Sequence, residues 1–245
     1  MDLIDRIDPR YSLLALTALL IAVLYPAGKA IPDPGLRRRY HQMQLAAFFG
    51  AVVGAKLAVL FGDLGWPLKQ LAGGWRDILF SGRSVTGGLL GGLLAAEAAK
   101  ALTGYPLPPN DRFAAVLPLS IAVGRVGCFL AGCCRGVPSR IRFSVSYADG
   151  VPRHPAQLYE AAFHVAAGLL FLRLVARGRL KGRVFSLYLA LYGAFRFVTE
   201  FLRETPKPFS GLSGYQLLSA AMVLVGLAFL AARTPRAVPI LQEAS

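Results

Sequence analysis

Gly124 to Gly136 read GRVGCFLAGCCRG, a stretch apolar enough to lie in a bilayer that nevertheless carries an arginine between two glycines. An intramembrane guanidinium is costly unless it is paired or lines a wet cavity. Arg125 is therefore a candidate functional residue. Gly124, Gly127, Gly132 and Gly136 remove side chains around it, so that a neighbouring helix or a lipid headgroup can come close to the backbone. The competing reading is an arginine at a helix end that snorkels to the interface, with glycines that serve packing alone.

Outward from this stretch, the 245 residues are 55% hydrophobic and only 16% charged, which defines an all-α, polytopic membrane bundle expected to form a single transmembrane domain over residues 1–245. The net charge of +14 does not point to nucleic acid, because Lys and Arg gather in short connectors between apolar runs. Membrane lipids with anionic headgroups, and the positive-inside bias, account for them. The three cysteines fall within Cys128–Cys134, too few and too clustered for a disulfide framework.

Asp2, Asp5 and Asp8 are the opposite of the basic start a signal peptide needs, so the apolar run Leu13–Ala30 is expected to be a retained first membrane helix. Pro32-Asp33-Pro34-Gly35 breaks it, and Arg37, Arg38 and Arg39 then clamp the cytoplasmic side and leave the N-terminus outside. A second helix is expected over about Gln44–Phe61. Asp63–Arg83, with Trp66 and Trp75, reads as an outer loop at headgroup level. A third helix opens on Ser84-Val85-Thr86-Gly87-Gly88-Leu89-Leu90-Gly91-Gly92 and runs to about Leu102; its glycines suit close helix contact, with a polar backbone contact to a lipid headgroup as the second reading. Glu97 on this helix is expected to pair with Lys56 or Lys100. Beyond the proline-rich connector Tyr105–Asn110, a fourth helix covers about Phe113–Cys134. A polar segment with the alternating RFSVSY follows, and suits a short strand or extended arm.

A fifth helix begins near Pro155 and ends at about Leu174. The basic cluster of Arg173, Arg177, Arg179, Lys181 and Arg183 belongs in the cytoplasm, which agrees with counting helices from an outside N-terminus. A sixth helix over about Val184–Leu202 and a seventh over about Gly214–Ala232 complete a bundle of about seven transmembrane helices with a cytoplasmic C-terminus.

Tyr192, Arg196, Glu200 and Arg203 in the sixth helix are spaced four, four and three apart, and so share one face. Glu200 bridging its two arginines would neutralise charge without explaining why charge is placed at membrane depth. Several cationic groups at one outer rim make an anion site, and arginine suits phosphate through paired N–H donors. His154 is a candidate proton acceptor near neutral pH. Gln157, Glu160 and His164 fall along one helix face; the first two are placed to orient neighbours, and His164 reads as a packing or pairing residue. Cys128, Cys133 and Cys134 read as small buried apolar residues. With no matching His or Cys cluster elsewhere, no metal, redox centre or other cofactor is expected.

Together these pieces resemble the bacterial prolipoprotein diacylglyceryl transferase family. The resemblance runs in order through GAKLAVLF, TGGLLGG, GRVGCFLAG, HPAQLYE, YGAFRFVTEFLR and GLSGYQLLS. It implies a multi-pass enzyme of the bacterial cytoplasmic (inner) membrane that moves diacylglycerol from phosphatidylglycerol to the lipobox cysteine of a prolipoprotein, releasing glycerol phosphate. By the same resemblance Arg125 and Arg196 match essential arginines, and Tyr192, Glu200 and Arg203 match the sixth-helix motif. His154 and Tyr192 are then candidates for handling the proton of the incoming thiol. Gly124, Gly127, Thr86, Gly87, Gly88, Gln157, Glu160, Glu200 and Arg203 are candidates for substrate binding.

The chain departs from the family pattern in two places. Thr86 stands where the family usually has His before the paired glycines, and in the GRxGNFxNGE signature the two Asn and the Glu become Cys128, Ala131 and Cys133. These changes leave open a diverged relative acting on another lipid or acceptor, or a non-catalytic lipid or small-anion transporter. No inverted repeat of the transporter kind is detectable.

Overall fold

The computed structural model describes residues 33–62, 84–105 and 111–232. The expected first helix, the Asp63–Arg83 loop and most of the Tyr105–Asn110 connector lie outside the described residues. The apolar runs that remain form six α-helices: α1 (Pro34–Gly62), α2 (Val85–Thr103), α3 (Asp111–Leu130), α4 (Ala156–Ala176), α5 (Val184–Thr199) and α6 (Gly214–Ala232). Between α3 and α4, strands β1 (Val145–Ser146) and β2 (Pro152–Arg153) pair antiparallel, the extended arm expected at RFSVSY. Five of the helices, all but α3 and with α5 counted through its 3-10 extension to Leu202, are long and apolar enough to cross a membrane. This is a multi-pass, all-α membrane protein.

Three boundaries differ from those expected. α1 starts at Pro34, ten residues before Gln44, because the Asp33 carboxylate accepts from Leu36 N at 2.6 Å and supplies the cap; the arginine triplet is therefore helical. α3 stops at Leu130 instead of Cys134, because Gly132 (φ 65°) and Cys134 (φ 57°) turn left-handed. The sixth predicted helix is α-helical only to Thr199, after which Glu200–Leu202 tighten into a 3-10 turn.

The described residues fall into two compact units, one of residues 111–188 with 201–204 and another of residues 33–62, 84–105, 189–200 and 205–232. In the first, α3 packs on α4, where Gly168 leaves room for Leu119. Asp111 at the start of α3 accepts from Gly182 N at 2.5 Å and Phe185 N at 3.2 Å, which ties down the basic turn between α4 and α5. Phe171 and Tyr188 fill the interior edge-on, with ring centroids 5.7 Å apart.

In the second unit α1 and α2 lie backbone to backbone. A Cβ on Gly87 would overlap Ala58 and the Gly54 carbonyl, and one on Gly91 would overlap the Gly50 carbonyl. Van der Waals contact between backbones is the main attraction available to helices in lipid, and only glycine permits this approach. Ser84 caps α2, accepting from Gly87 N, and its hydroxyl meets that of Thr86 at 2.8 Å. Glu97 pairs with Lys100 at 3.0 Å, one of its two expected partners. Leu45, Phe48, Phe49, Val52, Val53 and Leu57 point outward from α1, as a lipid-facing surface requires.

Candidate active site

Arg125 lies in the penultimate turn of α3, and its partner comes from the first turns of α4. Arg125 donates from Nη2 to Glu160 Oε1 at 3.0 Å while its Nε lies 3.0 Å from Oε2, a two-pronged pair. The Glu160 side chain is 1% exposed and that of Arg125 11%. The opening alternative of a snorkelling arginine is thus displaced by a buried ion pair. Arg203 reaches the same carboxylate, with Nη1 3.6 Å from Oε2. Two guanidinium groups from distant parts of the sequence converge on Glu160.

Backbone knitting brings Arg203 there. Gly136 N donates to His154 O at 2.9 Å, Val137 N to Leu202 O at 2.9 Å, and Gly136 bridges Arg203 in antiparallel fashion. A Cβ at Gly136 would strike both the Leu202 carbonyl and His154, so the glycine is what lets these segments meet. Among the described residues, and apart from its own chain neighbours and helix backbone, no atom lies within 4 Å of where a Gly124 Cβ would be, which leaves open space beside it. Gly127 is buried in α3.

His154 is half-buried at the entrance to α4, its Nδ1 3.2 Å from the Tyr159 hydroxyl. Gln157, wholly buried, donates to Cys133 O at 2.5 Å and accepts from the Tyr147 hydroxyl at 3.0 Å. Gln157, Glu160 and His164 are all buried along α4, and His164 faces Tyr188 at 3.4 Å, the packing role expected of it. Burial pushes the Tyr147 hydroxyl up from its ordinary range. Beyond it, Asp149 pairs with Arg135 at 3.0 Å and Arg153 at 3.2 Å, and Arg153 also pairs with Glu204. A hydrogen bond from Val151 N, with these arginines, holds the Asp149 carboxyl below its usual range.

The cysteines differ from expectation. Cys133 and Cys134 are exposed and Cys128 half-buried, because the left-handed turn after Leu130 carries the last two out of the helix. Hydrogen bonding with Cys128 and Cys133 holds the Cys134 thiol well below the usual range, whereas hydrogen bonding with Cys128 and Cys134 pushes the Cys133 thiol up.

The second unit holds the other expected residues. Arg196 pairs with Glu200 at 2.5 Å, and both are buried. The Glu200 carboxylate also accepts from Thr205 Oγ1 at 2.6 Å and Ser213 Oγ at 3.3 Å. Gln216 is clasped by Ser213 and donates to Phe197 O at 3.3 Å. Thr205, Ser213 and Gln216 were not singled out as site residues, although GLSGYQLLS carries two of them. Tyr192 is fully buried. The single face expected for Tyr192, Arg196, Glu200 and Arg203 is cut short where the α-helix ends at Thr199, and Arg203 turns to Glu160. Thr86 is buried, Gly87 is taken up by the contact with α1, and a Cβ added at Gly88 would meet, among the described residues, the Ala51 carbonyl at 3.5 Å and the Ala55 methyl at 3.7 Å.

Fold and site together define a multi-pass helical membrane protein that buries paired arginines near helix ends. The family model described as prolipoprotein diacylglyceryl transferase matches residues 9–232. The chain is 37% identical over 194 residues to the phosphatidylglycerol–prolipoprotein diacylglyceryl transferase of Geobacter sulfurreducens, covering 73% of this chain and 72% of that one. It is 37% identical over 187 residues to the enzyme of the same name from Nitratidesulfovibrio vulgaris (73% and 68% covered), and 29% identical over 195 residues to that of Clostridium tetani (76% and 77%). The chain belongs to the prolipoprotein diacylglyceryl transferase family and is an enzyme of that type.

Proposed function

We propose that this protein transfers a diacylglyceryl group from phosphatidylglycerol to the cysteine thiol of a prolipoprotein lipobox at the outer leaflet of the bacterial cytoplasmic membrane. The observation that carries the reading is the convergence of Arg125 and Arg203 on buried Glu160. A carboxylate gripped by two guanidinium groups is the arrangement that pre-orients them for a phosphodiester. In the reaction the acceptor sulfur bonds to the glyceryl carbon, the carbon–oxygen bond to phosphate breaks, and glycerol phosphate leaves with the electron pair. Arg125 stabilises charge on that leaving group. The open space beside Gly124, with small Gly127 one turn along, admits the headgroup.

The thiol proton passes to His154. With Nδ1–H donating to Tyr159, the Nε2 lone pair is the acceptor a base needs. Gln157 and Glu160 act as positioning residues, through Cys133 O and the arginines respectively. Arg196, with Glu200 as its positioning partner, is the second essential arginine by family resemblance, and Tyr192 belongs to the same motif. Of Thr86, Gly87 and Gly88, only Gly88 is retained as a contact to lipid: Gly87 is taken up by the packing on α1, and Thr86 is buried and unable to act as the base the family's His would be.

The outer-leaflet assignment is supported by α4. Glu160 lies near its start and the basic turn lies beyond its end, about 25 Å away at helical rise. With the exposed Arg177, Arg179 and Lys181 in the cytoplasm, the arginine cluster falls at the opposite boundary.

The test is incubation of purified protein with labelled phosphatidylglycerol and a lipobox peptide, followed by mass spectrometry. Addition of a diacylglyceryl group is expected, and its loss in Arg125→Ala and Arg196→Ala. No transfer by a folded, monodisperse preparation would overturn the reading in favour of another donor or acceptor.

A further inference from the structure

We propose that Cys128, Cys133 and Cys134 form a three-sulfur site for a soft, thiophilic metal ion such as Cu(I). The three sulfur atoms lie within 4.8 Å of one another, and among the described residues they are the one group of metal-ligating side chains so gathered. A planar triangle of sulfurs at a metal–sulfur distance of about 2.3 Å has edges of about 4 Å, so small rotations about χ1 close the site.

The backbone is shaped to bring these sulfurs together. Cys133 N donates to Cys128 O at 3.1 Å, and Gly132 and Cys134 both adopt left-handed φ angles of 65° and 57°. A cysteine in that conformation is uncommon, and such residues cluster where a site needs the backbone held. Gln157 from α4 holds the turn from outside through the Cys133 carbonyl. The site is therefore anchored to the helix pair and not merely hung on a loop.

The donor set fixes the class of ion. Three thiolates with no carboxylate or imidazole among them suit a soft ion and disfavour Mg²⁺, Ca²⁺ and Mn²⁺. Cu(I) is satisfied by three sulfurs in a plane, whereas Zn²⁺ would keep an open fourth position. On binding, each thiol releases its proton to water as its sulfur–metal bond forms. An ion supplied as Cu(I) undergoes no change of oxidation state.

The inference is independent of the transferase reading, and the experiment keeps the two apart. Reduced, full-length protein in detergent is titrated anaerobically with Cu(I) against a chromogenic Cu(I) chelator, while the ultraviolet sulfur-to-copper charge-transfer band is followed. One ion per chain is expected, with affinity lowered by at least about 100-fold in Cys128→Ser and in Cys134→Ser. Arg196→Ala, which tests the transferase reading, is expected to leave binding intact. Should the serine variants fold poorly, X-ray absorption on the unaltered protein decides the matter through its copper neighbours. A shell of three sulfurs supports the site. A shell of nitrogen or oxygen, several weak sites, or binding indifferent to Cys→Ser overturns it.

Discussion

Glu160→Gln is the perturbation most exposed to refutation. The substitution keeps the size of the side chain and one carbonyl oxygen, but removes the charge that faces Arg125 at two contacts of 3.0 Å and Arg203 at 3.6 Å. Removing one member of a buried pair costs about 3–5 kcal/mol, mostly because the remaining charge is left in a poorly solvated place. Retention of one acceptor and the length of the Arg203 contact argue for the lower end, about 3 kcal/mol. For a chain of this size that corresponds to a melting temperature lower by about 6–12 °C. Thermal melts of detergent-purified parent and variant, at one scan rate, read the loss directly. The double variant Arg125→Gln/Glu160→Gln removes both charges, and is expected to be more stable than the sum of the single changes predicts by about 2 kcal/mol. Glu160→Gln is also expected to lower diacylglyceryl transfer by about 10²–10³-fold, since a misdirected guanidinium stabilises the leaving group poorly. A variant melting with the parent, and a cycle that adds without coupling, would refute the claim that Glu160 holds the arginine in place.

Gly87→Val drives a side chain into Ala58 and the Gly54 carbonyl, and is expected to destabilise by about 3 kcal/mol; Gly88→Ala, whose nearest neighbours are at van der Waals distance, is expected to be close to neutral in the same melts. Asp149 has its carboxyl held below the ordinary range, so its contribution to stability is present above that range and is lost as pH falls through the lowered value. Asp149→Asn is therefore expected to flatten the acid limb of melting temperature against pH between about pH 5 and pH 3, and an unchanged limb would dismiss the role given to this carboxylate.

Where apolar runs were bounded by strong punctuation, the sequence was sufficient. α6 has the expected bounds, Gly214–Ala232, because it is pure apolar periodicity behind a glycine-rich turn. The Glu97–Lys100 pair was legible because a three-residue spacing places both on one helical face. The end of α3 was not legible, since hydrophobicity runs on through Cys134 and a left-handed cysteine leaves no mark in the pattern. The partner of Arg125 was out of reach for a different reason. Glu160 lies 35 residues away, and which carboxylate meets which arginine is decided by helix packing, not by local spacing. Arg203 illustrates the same limit from the other side. An ideal helix would set it on the face of Glu200, but one 3-10 turn is enough to send its guanidinium to Glu160.

That redirection bears on the departures from the family signature. Cys133 stands where a glutamate is usual, a change that would be expected to strip a nearby arginine of its counter-charge. The carboxylate facing Arg125 comes instead from α4, on a residue within HPAQLYE, and it is buried and shared with Arg203. The support for Arg125 thus rests on a segment that the substitutions do not touch. Likewise the Cys133 position still contributes through its backbone carbonyl, which takes the Gln157 hydrogen bond whatever side chain it carries. The departures therefore alter the chemistry presented by the turn after α3, from amide and carboxylate to thiol, while the arginine beneath it keeps its own partner. Loss of transfer on restoring Asn, Asn and Glu at Cys128, Ala131 and Cys133 would contradict this separation; transfer that persists, together with loss of Cu(I) binding, is the outcome it requires.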